Sequence, residues 1–134
     1  MRLADLRSDV VVLACAISAG IHGALVPNHF DDGTGPGLGF AAATVALAVI
    51  VLWLSRRPAS TLALAAAGAT LSGLLVSYAL AITTGVPVLH PHVEPVEGLA
   101  LATKAIEAVG LLTTTSLLLR RVAIAHTRPK GALT

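Results

Sequence analysis

Leu38-Gly39-Phe40-Ala41-Ala42-Ala43-Thr44-Val45-Ala46-Leu47-Ala48-Val49-Ile50-Val51-Leu52-Trp53-Leu54-Ser55-Arg56-Arg57-Pro58 decides the fold. No charge interrupts residues 38–54, and an interfacial tryptophan, two cations and a helix breaker close the run. Roughly 20 apolar residues as a helix cross the ~30 Å hydrocarbon layer of a bilayer, and aromatic and basic residues mark where such a helix leaves it. Three more runs follow the same pattern. Spans are expected at about 10–26, 38–54, 61–84 and 99–119. Pro27 and Asn28 end the first, Gly85 and Pro87 follow the third, and Arg120-Arg121 ends the fourth. The glycine- and proline-rich segments 27–37 and 85–98 read as irregular loops.

Composition agrees. In 134 residues, 55% are hydrophobic and only 12% charged, and the mean hydropathy is +0.84. A soluble domain of this size could not bury so much apolar surface. The alternating segments of a membrane β-barrel are absent, so the expected fold class is all-α, a single four-transmembrane-helix bundle. The net charge of +2 comes from short basic clusters beside apolar runs, a topology signal rather than a nucleic-acid footprint. Arg2, Arg7, Arg56, Arg57, Arg120, Arg121, Arg128 and Lys130 all fall on the side of the termini and the 55–60 link, while loops 27–37 and 85–98 carry none. Both termini are therefore expected in the cytoplasm and the chain in the plasma membrane, in contact with lipid. Cys15 is the only cysteine, which excludes an intrachain disulfide and a dithiol redox motif. The basic tail beyond Arg121 is expected to fray.

Aromatic residues make up only 3%, and small residues recur at helical spacing: Ala16, Gly20 and Ala24, then Gly68 with Ser72 or Ala69 with Gly73. Such stripes let helices approach closely where lipid provides no hydrophobic drive for association. Packing within the bundle is the first expectation for them, and a face for another subunit or a second copy is the alternative.

Polar residues concentrate in two places. At or beyond the outer boundary stand His22, His29, His90 and His92 with Asp31, Asp32, Glu94 and Glu97. Imidazole and carboxylate are ligands for Zn(II) and Cu(II), and His90-Pro91-His92-Val93-Glu94 puts alternate side chains on one side of an extended segment. Three or four convergent groups would make a metal site, and the same residues would otherwise cap helices or meet headgroups. Met1 is the only methionine, which disfavours a Cu(I) conduit. His22 lies ~6 Å inside the first span, with Ser18 on its face and Cys15 ~10 Å away along the axis, beyond reach of a shared ion. The second place is Lys104 and Glu107, neighbours at i and i+3 on the last helix, with Glu107 ~13 Å below its outer end. An ionised carboxylate there must be paired, protonated or wetted. Thr103, Gly110 and Thr114 extend its face, so this stripe should point inward or toward a partner.

The stretch Ile21-His22-Gly23-Ala24-Leu25-Val26-Pro27-Asn28-His29-Phe30, with Gly85-Val86-Pro87 and the carboxylates Glu94, Glu97 and Glu107, resembles uncharacterised small four-helix membrane proteins of actinobacteria over most of the chain. That resemblance implies the four-helix fold and supplies no activity. Small multidrug-resistance transporters are similar in length and helix number, but they are built around a carboxylate in the first helix. The span 10–26 has none, and Glu107 would have to take its place.

Three functions remain in view. The first is a non-enzymatic accessory or small subunit of a larger membrane complex whose outer His and acid residues bind Cu or Zn. The second is an oligomeric proton- or metal-coupled transporter using Glu107, Lys104 and His22. The third is a haem protein with His22 as an axial ligand, disfavoured because only one histidine lies within a span.

Overall fold

The computed structural model describes residues 3–86 and 92–127, with side chains for 6–86 and 92–124. These residues form α1 (Leu3–Asp32), α2 (Thr34–Arg56), α3 (Thr61–Ala81) and α4 (Gly98–Thr127). All four are long and apolar enough to cross a membrane. Their neighbours form a ring: α1 lies against α2 and α4, and α3 against α4 and α2. Arg7 Nη1 donates to Ser116 Oγ at 3.2 Å, and Arg121 donates to the carbonyls of Pro58 and Ala59 at 3.1 and 2.8 Å. The start of α1, the end of α4 and the α2–α3 link therefore share one end of the bundle. The Gly33 turn and the segments 82–86 and 92–97 occupy the other.

The expected loop at 27–37 is helical on both sides of Gly33. Pro27 forfeits one i→i−4 bond but does not stop α1, as is common in apolar helices whose remaining backbone groups have no better partner. Pro36 falls in the first turn of α2, where the missing N–H would have had no helical partner. Gly33 alone makes the turn, at φ 150° and ψ 163°, a region essentially restricted to glycine. Phe30 then covers the backbone of Gly37, where an added Cβ would lie 2.4 Å from its ring.

The other boundaries also shift. α3 ends at Ala81 rather than near residue 84, and the Glu94 amide closes back on the Ala81 carbonyl at 2.9 Å. Helix α4 passes through Arg120-Arg121 to Thr127. Its continuation is held by the Arg121 guanidinium, which also donates to Thr61 Oγ1 at 3.2 Å.

Apolar packing is confined to half of the bundle. Val11, Cys15, Leu47, Ile50, Leu54, Ala63, Leu64, Ala67, Leu71 and Leu117 form the core, all toward the end that carries Arg56 and Arg121. Beyond Leu71, no α3 residue is buried, and before Leu47 only Gly37 is buried on α2. The interior is therefore less tightly filled toward the Gly33 end. Large apolar side chains such as Leu13, Val45, Leu62 and Leu112 point outward, as a lipid solvent requires.

Of the small-residue stripes, Ala16, Gly20 and Ala24 are exposed on α1, as are Ala69 and Gly73 on α3. They do not serve packing within the bundle. Gly68 does, since an added Cβ there would lie 3.4 Å from Thr114 Cγ2 of α4, and a tighter approach is made at Gly110 of α4, where an added Cβ would lie 2.8 Å from Ala14 Cβ and 3.1 Å from Leu71 Cδ1.

Candidate functional site: a buried carboxylate beneath a cavity

Where the apolar core stops, a polar cluster begins. Ser18, His22, Thr103, Glu107 and Thr114 are buried, and Glu107 is 0% exposed. Thr103 and Thr114 return their hydroxyl protons to the carbonyls of Leu99 and Gly110, both at 2.8 Å, a common way for a helix to keep threonine inside an apolar surrounding. The stripe on α4 thus faces inward.

Both oxygens of Glu107 are engaged. Lys104 Nζ donates to Oε2 at 2.7 Å, and Ser18 Oγ of α1 donates to Oε1 at 2.6 Å. Both are short charge-assisted bonds. His22 Nε2 lies 3.9 Å from Oε1. Its other nitrogen, Nδ1, is 2.9 Å from the Ser18 carbonyl and 3.3 Å from Ser18 Oγ. A carbonyl only accepts, so the hydrogen belongs on Nδ1, and the Oγ proton is already directed to Glu107. In the neutral imidazole Nε2 then carries the lone pair, and in the imidazolium it carries a second proton, in either case 3.9 Å from the carboxylate.

Above this cluster opens a cavity of about 430 Å³ toward the Gly33 end. Its lining includes His22 and Lys104 at the floor, Phe40 and Tyr78 on the walls, and Asp32, Glu94 and Glu97 nearer the mouth. Much of the remaining wall is apolar, including Ile21, Leu25, Ala43, Leu74, Ala81 and Leu99. Phe40 stacks on His29, with ring centroids 3.5 Å apart, and tilts against His22 at 5.1 Å. Lys104 Nζ stands 5.6 Å from the Tyr78 ring centroid. The Lys104 side chain is 15% exposed, so its ammonium joins the sealed carboxylate to the cavity. Tyr78 Oη is buried and has no hydrogen-bond partner among the described residues.

Of the expected outer set, His22, His29, Asp32, Glu94 and Glu97 all line this one cavity. His22 belongs to the buried cluster. His29 rests on Phe40, with Nδ1 2.9 Å from the Leu25 carbonyl. Asp31 and Asp32 end α1, exposed, and His92, Glu94 and Glu97 belong to the segment before α4. Among the described residues no group of three or more His, Cys, Asp or Glu could hold a metal ion. His90 lies outside the described residues.

Sequence reasoning did not find Ser18 as the carboxylate's partner, nor Phe40 and Tyr78 on the walls. Tyr78 had a usable signal: it is the only tyrosine and stands close to the end of α3, at the depth where an antiparallel α4 brings Lys104. No protein-family model, curated protein or solved structure matches the chain.

Proposed function

We propose that this protein is a proton-linked carrier of the plasma membrane, in which Glu107 alternates between an ion pair with Lys104 and a protonated acid. The burial of Glu107 beneath an open cavity, behind His22 and Lys104, carries this reading. A carboxylate that served packing alone would cost desolvation free energy that an apolar side chain avoids. The groups around it also supply a route from the cavity to the carboxylate. A proton from the cavity adds to Nε2 of His22, the imidazolium stands beside Oε1, and transfer to the carboxylate leaves neutral Glu107 and an uncompensated Lys104 ammonium. The charged and titratable groups facing Glu107 are Cys15 and His22 on α1, Lys104 on α4 and, across Lys104, Tyr78 on α3. Ser18 stays hydrogen-bonded in either state, because a hydroxyl can donate to a carboxylate and accept from a carboxylic acid.

In this reading both termini face the cytoplasm, since Arg7, Arg56, Arg57, Arg120 and Arg121 all gather at one end, and the cavity opens to the outside. A cysteine introduced at Thr34 or Val93 in a Cys15→Ala background is expected to react with an impermeant thiol reagent on intact cells, and one at Ser60 is not. Reversed labelling overturns the orientation.

The proton site is tested without knowing the cargo. Infrared difference spectra of protein in lipid, recorded as pH is lowered, are expected to show the carbonyl stretch of a buried carboxylic acid in wild type and to lose that band in Glu107→Gln. A band unchanged by the substitution belongs to another carboxyl group and removes Glu107 from the proposed route.

A further inference from the structure

We propose that the cavity binds a small monocarboxylate with an apolar tail, and that each bound carboxylate brings one proton onto the Glu107 cluster. This inference rests on the carrier reading above and names the substrate class of the same site.

The floor offers two donors of the kind an oxyanion needs. Lys104 has three N–H groups, and Glu107 takes one of them at 2.7 Å. Tyr78, whose ring centroid lies 5.6 Å from Lys104 Nζ, has a buried hydroxyl with no partner among the described residues. One ammonium and one phenol suit the two oxygens of a carboxylate. A phosphate dianion, with more oxygens and charge to satisfy, would need further donors. The apolar wall formed by Leu25, Phe40, Ala43 and Leu74 matches a hydrocarbon tail, and about 430 Å³ is the size of an ordinary small-molecule site.

Charge balance gives the coupling. With Glu107 ionised, Lys104 is already neutralised, and an arriving anion meets a floor of no net charge. Once Glu107 takes a proton, Lys104 becomes the one uncompensated charge there, and a carboxylate restores neutrality. Proton and anion therefore bind better together than apart, and by linkage each raises the other's affinity by the same factor. The acids at the mouth, Asp32, Glu94 and Glu97, oppose an anion. Glu97 precedes Lys104 by seven residues, ~10 Å along the helix. At that distance in water one charge changes anion affinity by roughly a factor of two before salt screening.

The test uses the full chain in lipid nanodiscs and two probes, hexanoate and benzoate, measured by calorimetry in buffers of different ionisation enthalpy. Binding with uptake of close to one proton is expected at neutral pH, with affinity rising as pH falls. Tyr78→Phe, which keeps the ring, is expected to weaken binding about fivefold, and Lys104→Gln by at least about tenfold. Hexylammonium serves as the cationic control and should not bind. Binding without proton uptake, affinity unchanged in Tyr78→Phe and Lys104→Gln, or preference for the ammonium overturns the inference. Absence of carboxylate binding, with the Glu107 infrared band intact, overturns the substrate class and leaves the proton site standing.

Discussion

Lys104→Leu is expected to destabilise the protein by about 3–5 kcal/mol, the cost of leaving a buried charge without its partner. The carboxylate it strands is 0% exposed, and Ser18 Oγ would be its one remaining close donor. Glu107→Leu should cost less, because the Lys104 ammonium that it frees is 15% exposed and reaches the cavity. The double variant Lys104→Leu with Glu107→Leu should return to within about 1 kcal/mol of wild type, since a buried pair replaced by apolar groups of similar volume is often neutral. The Lys104→Leu deficit should also shrink as pH is lowered, because a protonated Glu107 no longer needs a cation. Thermal unfolding of the three variants in one detergent, at two pH values, checks all four statements. Equal loss in both single variants would mean that the ammonium is sealed in as fully as the carboxylate. A stable double variant that still takes up a proton with its ligand would remove both residues from the proposed mechanism.

The second large effect is steric. Gly110 stands one turn from Glu107, at the point where α4, α1 and α3 meet. A methyl group added there would lie 2.8 Å from Ala14 Cβ, which is fixed to the backbone and has no rotamer to escape into. Leu71 Cδ1, 3.1 Å away, can rotate. Gly110→Ala is therefore expected to cost about 1–3 kcal/mol by forcing α1 outward, and to weaken the Ser18–Glu107 bond on the same helix pair. Combining it with Ala14→Gly should recover most of the loss. Gly73→Ala is the matched control, since nothing lies within 4 Å of its added Cβ, and it should change the melting temperature little. An unchanged melting temperature for Gly110→Ala would show that the three helices are not packed this closely.

The membrane fold was legible because lipid imposes it: long uncharged runs closed by Trp53 and by Arg56-Arg57 or Arg120-Arg121 leave few alternatives. The inward stripe of Thr103, Glu107, Gly110 and Thr114 was equally readable, since 3.6-residue periodicity places these residues on one face whatever the neighbours are. Turn chemistry misled at 27–37. Pro27 and Pro36 suggested a loop, but one sits within an apolar helix and the other in a first turn, where proline costs little. The site itself was only half legible. Distance along one helix put Lys104 beside Glu107, but which residue of α1 faces them depends on helix rotation and register, so Ser18 emerged only with the fold. The outer histidines and acids form a neighbourhood in sequence, whereas His29 against Phe40 and His22 beneath them show how a helical continuation sends neighbouring side chains to different depths.

The turn at Gly33 bears on how the molecule is made. One residue joins α1 and α2, so their ends at this point cannot separate by more than a few ångströms. With the termini in the proposed orientation, so short a turn favours entry of the two helices together as a hairpin, with Asp31 and Asp32 at its translocated tip. A side chain at position 33 would obstruct this turn, and its cost would appear first in the yield of inserted protein.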